Sequence, residues 1–188
     1  MNAPGNYASQ APPPQKGIPA WIIYVLAGLG FFILFGGVLA VLAIYGVRKY
    51  IASAKTVEAR NSVAQIARDA VTAYEEGAKL CATASHDVPD SVLKVGGKKY
   101  QSAASEWDAD KATNAGFACL KFSMTYPQYY SYGYTAHGTS TPGDGFEARA
   151  NGDLTGDGVT SEFKLDGKIS APGTLELAPA IVETNPFE

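Results

Sequence analysis

Two hydrophobic patterns follow one another in the first half of the chain, and nothing separates them. The run Trp21 to Val47, "WIIYVLAGLGFFILFGGVLAVLAIYGV", contains no ionisable acid or base. About 20 apolar residues suffice to cross a bilayer as a helix, so this run predicts a membrane-spanning helix with some tilt or overhang. Trp21 and Tyr24 stand near one end and Tyr45 and Tyr50 near the other, where aromatic belts belong. The apolar core of a secretory signal is shorter, about 7–15 residues, and ends in a small-residue cleavage site. From Val57 the pattern becomes amphipathic. Val57, Val63, Ile66, Ala67, Ala70, Val71 and Tyr74 form the apolar set, three or four apart from Val63 onward, and Glu58, Arg60, Arg68, Asp69, Glu75 and Glu76 occupy the rest. Gly77 is the expected stop. The two patterns together predict one helix of about 55 residues, half for lipid and half for the spine of a domain.

Beyond Gly77 the periodicity shortens to that of strands. "FACLKFSM" (117–124) and "YYSYGYTA" (129–136) are short, aromatic and bounded by Pro127 and the Gly/Pro-rich "HGTSTPGDG". "FEARANG" (146–152) and "TSEFKLDG" (160–167) alternate apolar and polar residues, as half-buried antiparallel strands do. On the second of these segments, alternation places Tyr130, Tyr132 and Tyr134 on one face and Tyr129 on the other. Most of this cluster, with Tyr126, is expected to be sheet packing. The expected architecture is α+β: a long N-terminal helix, transmembrane first and amphipathic second, packed on a four-stranded antiparallel sheet. Residues 1–17 read as a disordered Pro-rich tail, 18–48 as the membrane helix and 49–77 as its amphipathic continuation. Residues 78–188 read as a loop and sheet domain with a C-terminal tail. Pro12 to Pro14 in the first segment suit a stiff spacer better than a partner ligand.

Charge changes the picture only by its placement. The net charge of −3 leaves no footprint for nucleic acid. No charge lies between Lys16 and Arg48, whereas Arg48, Lys49, Lys55 and Arg60 follow the apolar run. Counted by the positive-inside rule, that excess puts the large domain in the cytoplasm. The two cysteines, Cys81 and Cys119, point the other way. They form no CxxC pair and have no His cluster beside them, which disfavours zinc or redox chemistry. A lone pair in a small domain suits a disulfide made in an oxidising compartment, with two free buried thiols as the alternative.

Candidate chemistry is sparse. His86 and His137 are the only histidines, neither belongs to a nucleophile motif, and no phosphate loop is present, so no enzyme is expected and no catalytic residue is assigned. Asp87 and Asp90 flank Pro89 as in a turn. "DLTGDGVTSEF" sets Asp153, Thr155, Asp157 and the Val159 carbonyl at the spacing of the first half of an EF-hand loop, with Gly158 at its sharp turn. Lys164 stands where the bidentate Glu belongs, so a calcium site here would be weak, and a plain β-turn explains the same residues. No other cofactor or metal is indicated. Gly28, Gly30, Gly36, Gly37 and Ala40 are the small residues that would let membrane helices approach closely.

"KYIASAKTVEARNSVAQIARDAVTAYEEG", "CLKFSMTYPQYYSYGYTA" and "FEARANGDLTGDGVTSEFKLDG" together resemble type IV pilins, and in particular pilin-like proteins of deltaproteobacterial type. The resemblance covers about residues 45–165. It implies a helix lying inward on the sheet, a Cys81–Cys119 pair across the connecting loop, and a single-pass inner-membrane protein whose domain lies in the periplasm or on an extracellular filament. It also implies membrane lipid, other pilin subunits and pilus machinery as partners, in a homo- or hetero-oligomer. The start of the chain departs from the family. Gly17, the candidate processing point, is followed by "IPAWI", and Ile22 stands where a pilin has its assembly Glu. That departure points away from a major pilin. It leaves a structural or accessory subunit of a type IV pilus or related secretion filament, or an uncleaved membrane-tethered binding or sensing module with a pilin-like fold.

Overall fold

The computed structural model describes residue 17 and residues 19–188, the side chain of Arg48 excepted. The tail expected over 1–17 therefore lies outside the described residues, apart from Gly17. The first long element is helix α1, Ala20–Gly77, which ends at the predicted glycine. The chain divides into two compact units, one ending at Gly46 and one running from Val47 to Glu188. In the first, every described residue from Ala20 to Gly46 except Ile22 is exposed, including Phe31, Phe32, Leu34 and Leu42. A helix this long and apolar, with none of its hydrophobic window buried, is able to cross a membrane.

The second unit begins with the rest of α1. Its buried stripe is Thr56, Ala59, Val63, Ile66, Ala67, Ala70 and Tyr74, three or four apart with Ile66 and Ala67 side by side. Val57, expected on that stripe, is exposed, and Thr56 and Ala59 carry the face instead. Four strands follow as an antiparallel meander: β1 (Tyr130–His137), β2 (Gly145–Gly152), β3 (Ser161–Ala171) and β4 (Thr174–Leu177). A fifth, β5 (Val182–Thr184), returns to pair with the first half of β3, while β4 takes the second half. The inward faces of β1, β2 and β3 join the helix stripe in one core that includes Tyr130, Tyr132, Tyr134, Phe146, Phe163 and Ile169. Burying such side chains fully is worth about 1.5–3 kcal/mol each, which is why the meander and the helix need one another.

Two glycines in the sheet make room for this core. Tyr130 lies opposite Gly152, and Phe146 lies opposite Gly167. In both cases a Cβ on the glycine would collide with the partner's ring. Gly167→Ala is therefore expected to cost about 1.5 kcal/mol by overpacking, read as a lower urea midpoint of the full chain in detergent with an unchanged m-value.

The segment 117–124, predicted as a strand, instead begins in the short helix α3, Gly116–Leu120, closed by Lys121 in the left-handed region at φ 58°, and leaves 122–124 outside any helix or strand. Its aromatic residues carry strand propensity, but tertiary packing decides their use. Phe117 and Phe122 both meet Trp107, with ring centroids 4.9 and 5.4 Å away, and Trp107 ends the short helix α2, Ala104–Trp107. The sheet also extends past the last predicted strand segment, 160–167. β3 runs four residues past Gly167, and β4 and β5 follow it as edge strands. The free edge of β1 is covered by the connecting loop, where Val88 and Tyr132 exchange backbone hydrogen bonds of 2.8 and 2.9 Å.

Candidate functional site

The sequence left the state of the cysteines open, and the structure joins them. Cys81 and Cys119 form a disulfide with their Cα atoms 5.9 Å apart, closing a loop with a sequence separation of 38. Cys81 follows the end of α1 by four residues and Cys119 lies in α3, so the bond ties the helix exit to the α2–α3 cluster. An open groove of about 620 Å³ borders the bond and is lined in part by Glu76, Lys79 and Lys121. The Lys121 ammonium lies 3.2 Å from the Glu76 carboxylate across it.

The small residues of the apolar segment are all on open surface. Beyond the chain neighbours and the helix's own adjoining backbone, none of the described atoms lies within 4 Å of a Cβ placed on Gly28, Gly30, Gly36 or Gly37. Gly30 and Gly37, seven apart, share a helix face, as do Gly36 and Ala40, four apart. Gly17 is exposed two residues before the helix begins its ordered turn at Pro19.

In the Asp/Gly loop the side chains of the EF-hand spacing are already engaged within the protein. Asp153 is buried, and its two carboxylate oxygens accept from the Gly156 and Gly158 amides. Asp157 accepts from the Val159 amide at 2.9 Å, and the Thr155 hydroxyl donates to Glu188 at 3.2 Å. A cation here would compete with two amide protons for the Asp153 oxygens. Among the described residues there is no group of three or more His, Cys, Asp or Glu arranged to hold a metal ion.

Around the histidines the chemistry is local. The His86 Nδ1 lies 2.9 Å from the hydroxyl of its neighbour Ser85, an exposed residue whose amide donates to Asp110 at 2.8 Å. His137 is exposed at the end of β1. Asp87, expected in a turn, reaches across the outer side of the sheet to Arg149, with an N–O distance of 2.6 Å. Arg149 lies opposite Gly133, whose missing side chain leaves room for the guanidinium. Asp144 caps the β1–β2 turn by accepting from the amides of Thr141, Thr139 and Ser140 and from the Thr141 hydroxyl. Those donors hold its carboxyl down at about 2.

Sequence reasoning missed the acid that locks helix to sheet. Glu58, expected on the polar face of α1, is half-buried, and its Oε1 accepts from the Tyr129 amide at 2.8 Å and from the Tyr132 hydroxyl at 3.1 Å. Burial pushes its pKa up, against the opposing pull of those two donors and of Lys99. The only signal in the sequence is its place beside Ala59, at the edge of the stripe. The cations after the apolar run are engaged as well. Lys55 and Lys99 lie 4.6 and 4.9 Å from the centroid of the Tyr129 ring, and Lys49 lies 5.8 Å from that of Phe187. Arg60 makes a two-pronged pair with Glu183 on β5, at 2.6 and 2.8 Å, which holds the Glu183 carboxyl below its usual range.

Comparison of the chain with family models, with curated proteins and with solved structures finds no match.

Proposed function

We propose that this chain is a single-pass, exported structural or accessory subunit of a type IV pilus or related secretion filament, acting by helix packing and lateral subunit contacts. The observation that carries the reading is α1 itself. One helix supplies an apolar run that none of the described residues covers and then the buried stripe of an α+β domain. The open small-residue positions Gly30, Gly36, Gly37 and Ala40 suit helix–helix association in lipid, and the disulfide suits an oxidising compartment outside the cytoplasm. No catalytic residue is part of this reading.

The lack of any acidic residue from Ile18 to Val47 favours a second reading, a tethered binding or sensing module that does not enter a filament. Intact mass of the membrane-extracted chain, alkylated before and after reduction, separates the two. A start at Ile18 with both cysteines protected supports a processed, exported subunit. A full-length chain with protected cysteines supports the tethered module, and free thiols overturn export altogether. For a filament subunit, Gly36→Leu with Gly37→Leu is expected to abolish recovery with sheared filaments while leaving the chain folded in the membrane. Unchanged recovery excludes this helix face as the contact.

A further inference from the structure

Lys49, Ile51, Lys55, Lys99, Tyr129 and Phe187 form a basic and apolar face at the end of the second unit where α1 enters it. We propose that this face is a docking surface for the headgroup layer of a bilayer containing anionic lipid, so that the domain rests on the membrane. The inference rests on the membrane anchoring of α1 but not on filament assembly.

Three observations carry it. The first is position along the chain. Lys49 and Lys55 follow Val47, the last residue of the apolar run, by two and eight residues. At 1.5 Å per residue this stretch of helix lies within about 12 Å of the end of that run, which is the depth of the headgroup region and the water next to it. The second is the composition of the face. Ile51 and Phe187 are 49% and 42% exposed although both are large and apolar, and they border a recess of about 230 Å³ with Ala52, Lys55, Leu154 and Thr155. Apolar side chains ringed by lysines match the boundary between acyl chains and phosphates.

The third observation is how the ammonium groups are held. Lys55 comes from α1 and Lys99 from the connecting loop, yet both are gathered on the ring of Tyr129. Two cations brought together from distant parts of the chain repel one another unless an anion lies near. Glu58 supplies one charge behind the ring, where it is committed to the Tyr129 amide and the Tyr132 hydroxyl. Glu188, which accepts from Thr155, is the acid at the rim. Lys99 is exposed and Lys55 half-buried, and each lysine near an anionic surface is worth about 1 kcal/mol, or roughly fivefold in binding.

The test is amine acylation of the full chain in nanodiscs, with one set of phosphatidylcholine alone and one containing phosphatidylglycerol. A negative surface raises the pKa of a lysine lying on it and lowers the share of reactive free amine. Lys49, Lys55 and Lys99 are expected to react about fivefold more slowly in the anionic discs, with Lys111 and Lys168 unchanged and the difference removed by about 0.5 M salt. The Lys55→Gln, Lys99→Gln chain is expected to lose most of the protection at Lys49. Equal rates in both discs, or uniform slowing that includes Lys111 and Lys168, overturn the docking surface. Slowing that follows protein density rather than lipid charge overturns it too and assigns the face to a second copy. A chain that co-elutes with neither disc overturns the anchor along with the face, whereas co-elution with equal rates overturns the face alone.

Discussion

Replacing both Cys81 and Cys119 with serine is expected to lower the stability of the domain by about 3–4 kcal/mol, the largest loss expected from any pair of substitutions considered for this chain. The sequence separation of 38 sets the size of the effect, because an open chain of that length regains the loop entropy that the bond removes from the unfolded state. The loop also carries Trp107 and Phe117, which share a core with Tyr132, so its release loosens the sheet as well as the connection. Urea unfolding of the full chain in detergent, followed by near-ultraviolet dichroism, measures the loss. Reduction of the unmodified chain should reproduce it. A loss below about 1 kcal/mol would mean that packing around Trp107 holds the loop without the bond. The expected fragility under reducing conditions agrees with the export proposed for the domain.

Glu58→Ala is expected to cost about 2 kcal/mol, because it leaves the Tyr129 amide and the buried Tyr132 hydroxyl without their acceptor. Glu58→Gln keeps an oxygen for both donors and removes the charge, so the two variants separate hydrogen bonding from electrostatics. The sign of the pH effect follows from the raised pKa of Glu58 in the folded domain. Folding favours its protonated form. Its contribution is therefore fully present below the unfolded value of about 4.3 and is lost as pH rises through the higher folded value. Asp144 acts in the opposite sense. Its folded value of about 2 makes its contribution present above about 3.9 and lost as pH falls towards 2. Unfolding midpoints measured across the weakly acidic range should fall with rising pH for the unmodified chain more than for Glu58→Gln. Parallel profiles for the two would exclude Glu58 as the titrating group.

The charges after the apolar run are alike in a linear count and different in the fold. Arg48, Lys49, Lys55 and Arg60 look alike to a rule that sums cations near a helix end. In the fold, Arg60 is committed to Glu183 on a strand 123 residues away, Lys55 lies against Tyr129, and Lys49 lies against Phe187. None of these partners lies close in sequence, so no local pattern could separate a topology signal from a tertiary contact.

Periodicity alone was enough for the elements that repeat it. Helical spacing gave the stripe from Val63 to Tyr74 and the stop at Gly77, because a helix must put residues three and four apart on one face. Alternation gave β2 and the first half of β3, aromatic content between turn signals gave β1, and the period of two put Tyr130, Tyr132 and Tyr134 on one face, which the structure buries. The uncharged run had to emerge as a long apolar helix for the same reason. The tertiary structure decided what short segments and single polar groups do. Residues 117–124 have strand-forming side chains but form no strand, and 117–120 fold into α3, since Phe117 and Phe122 both pack on Trp107 and Cys119 reaches Cys81. β4 and β5 are too short to announce themselves, and they exist through pairing with β3 and through Arg60. Glu58 belongs with them. A carboxyl on a helix has no reason to be buried until a strand presents an amide and a hydroxyl to it, and that encounter depends on contacts more than 70 residues apart.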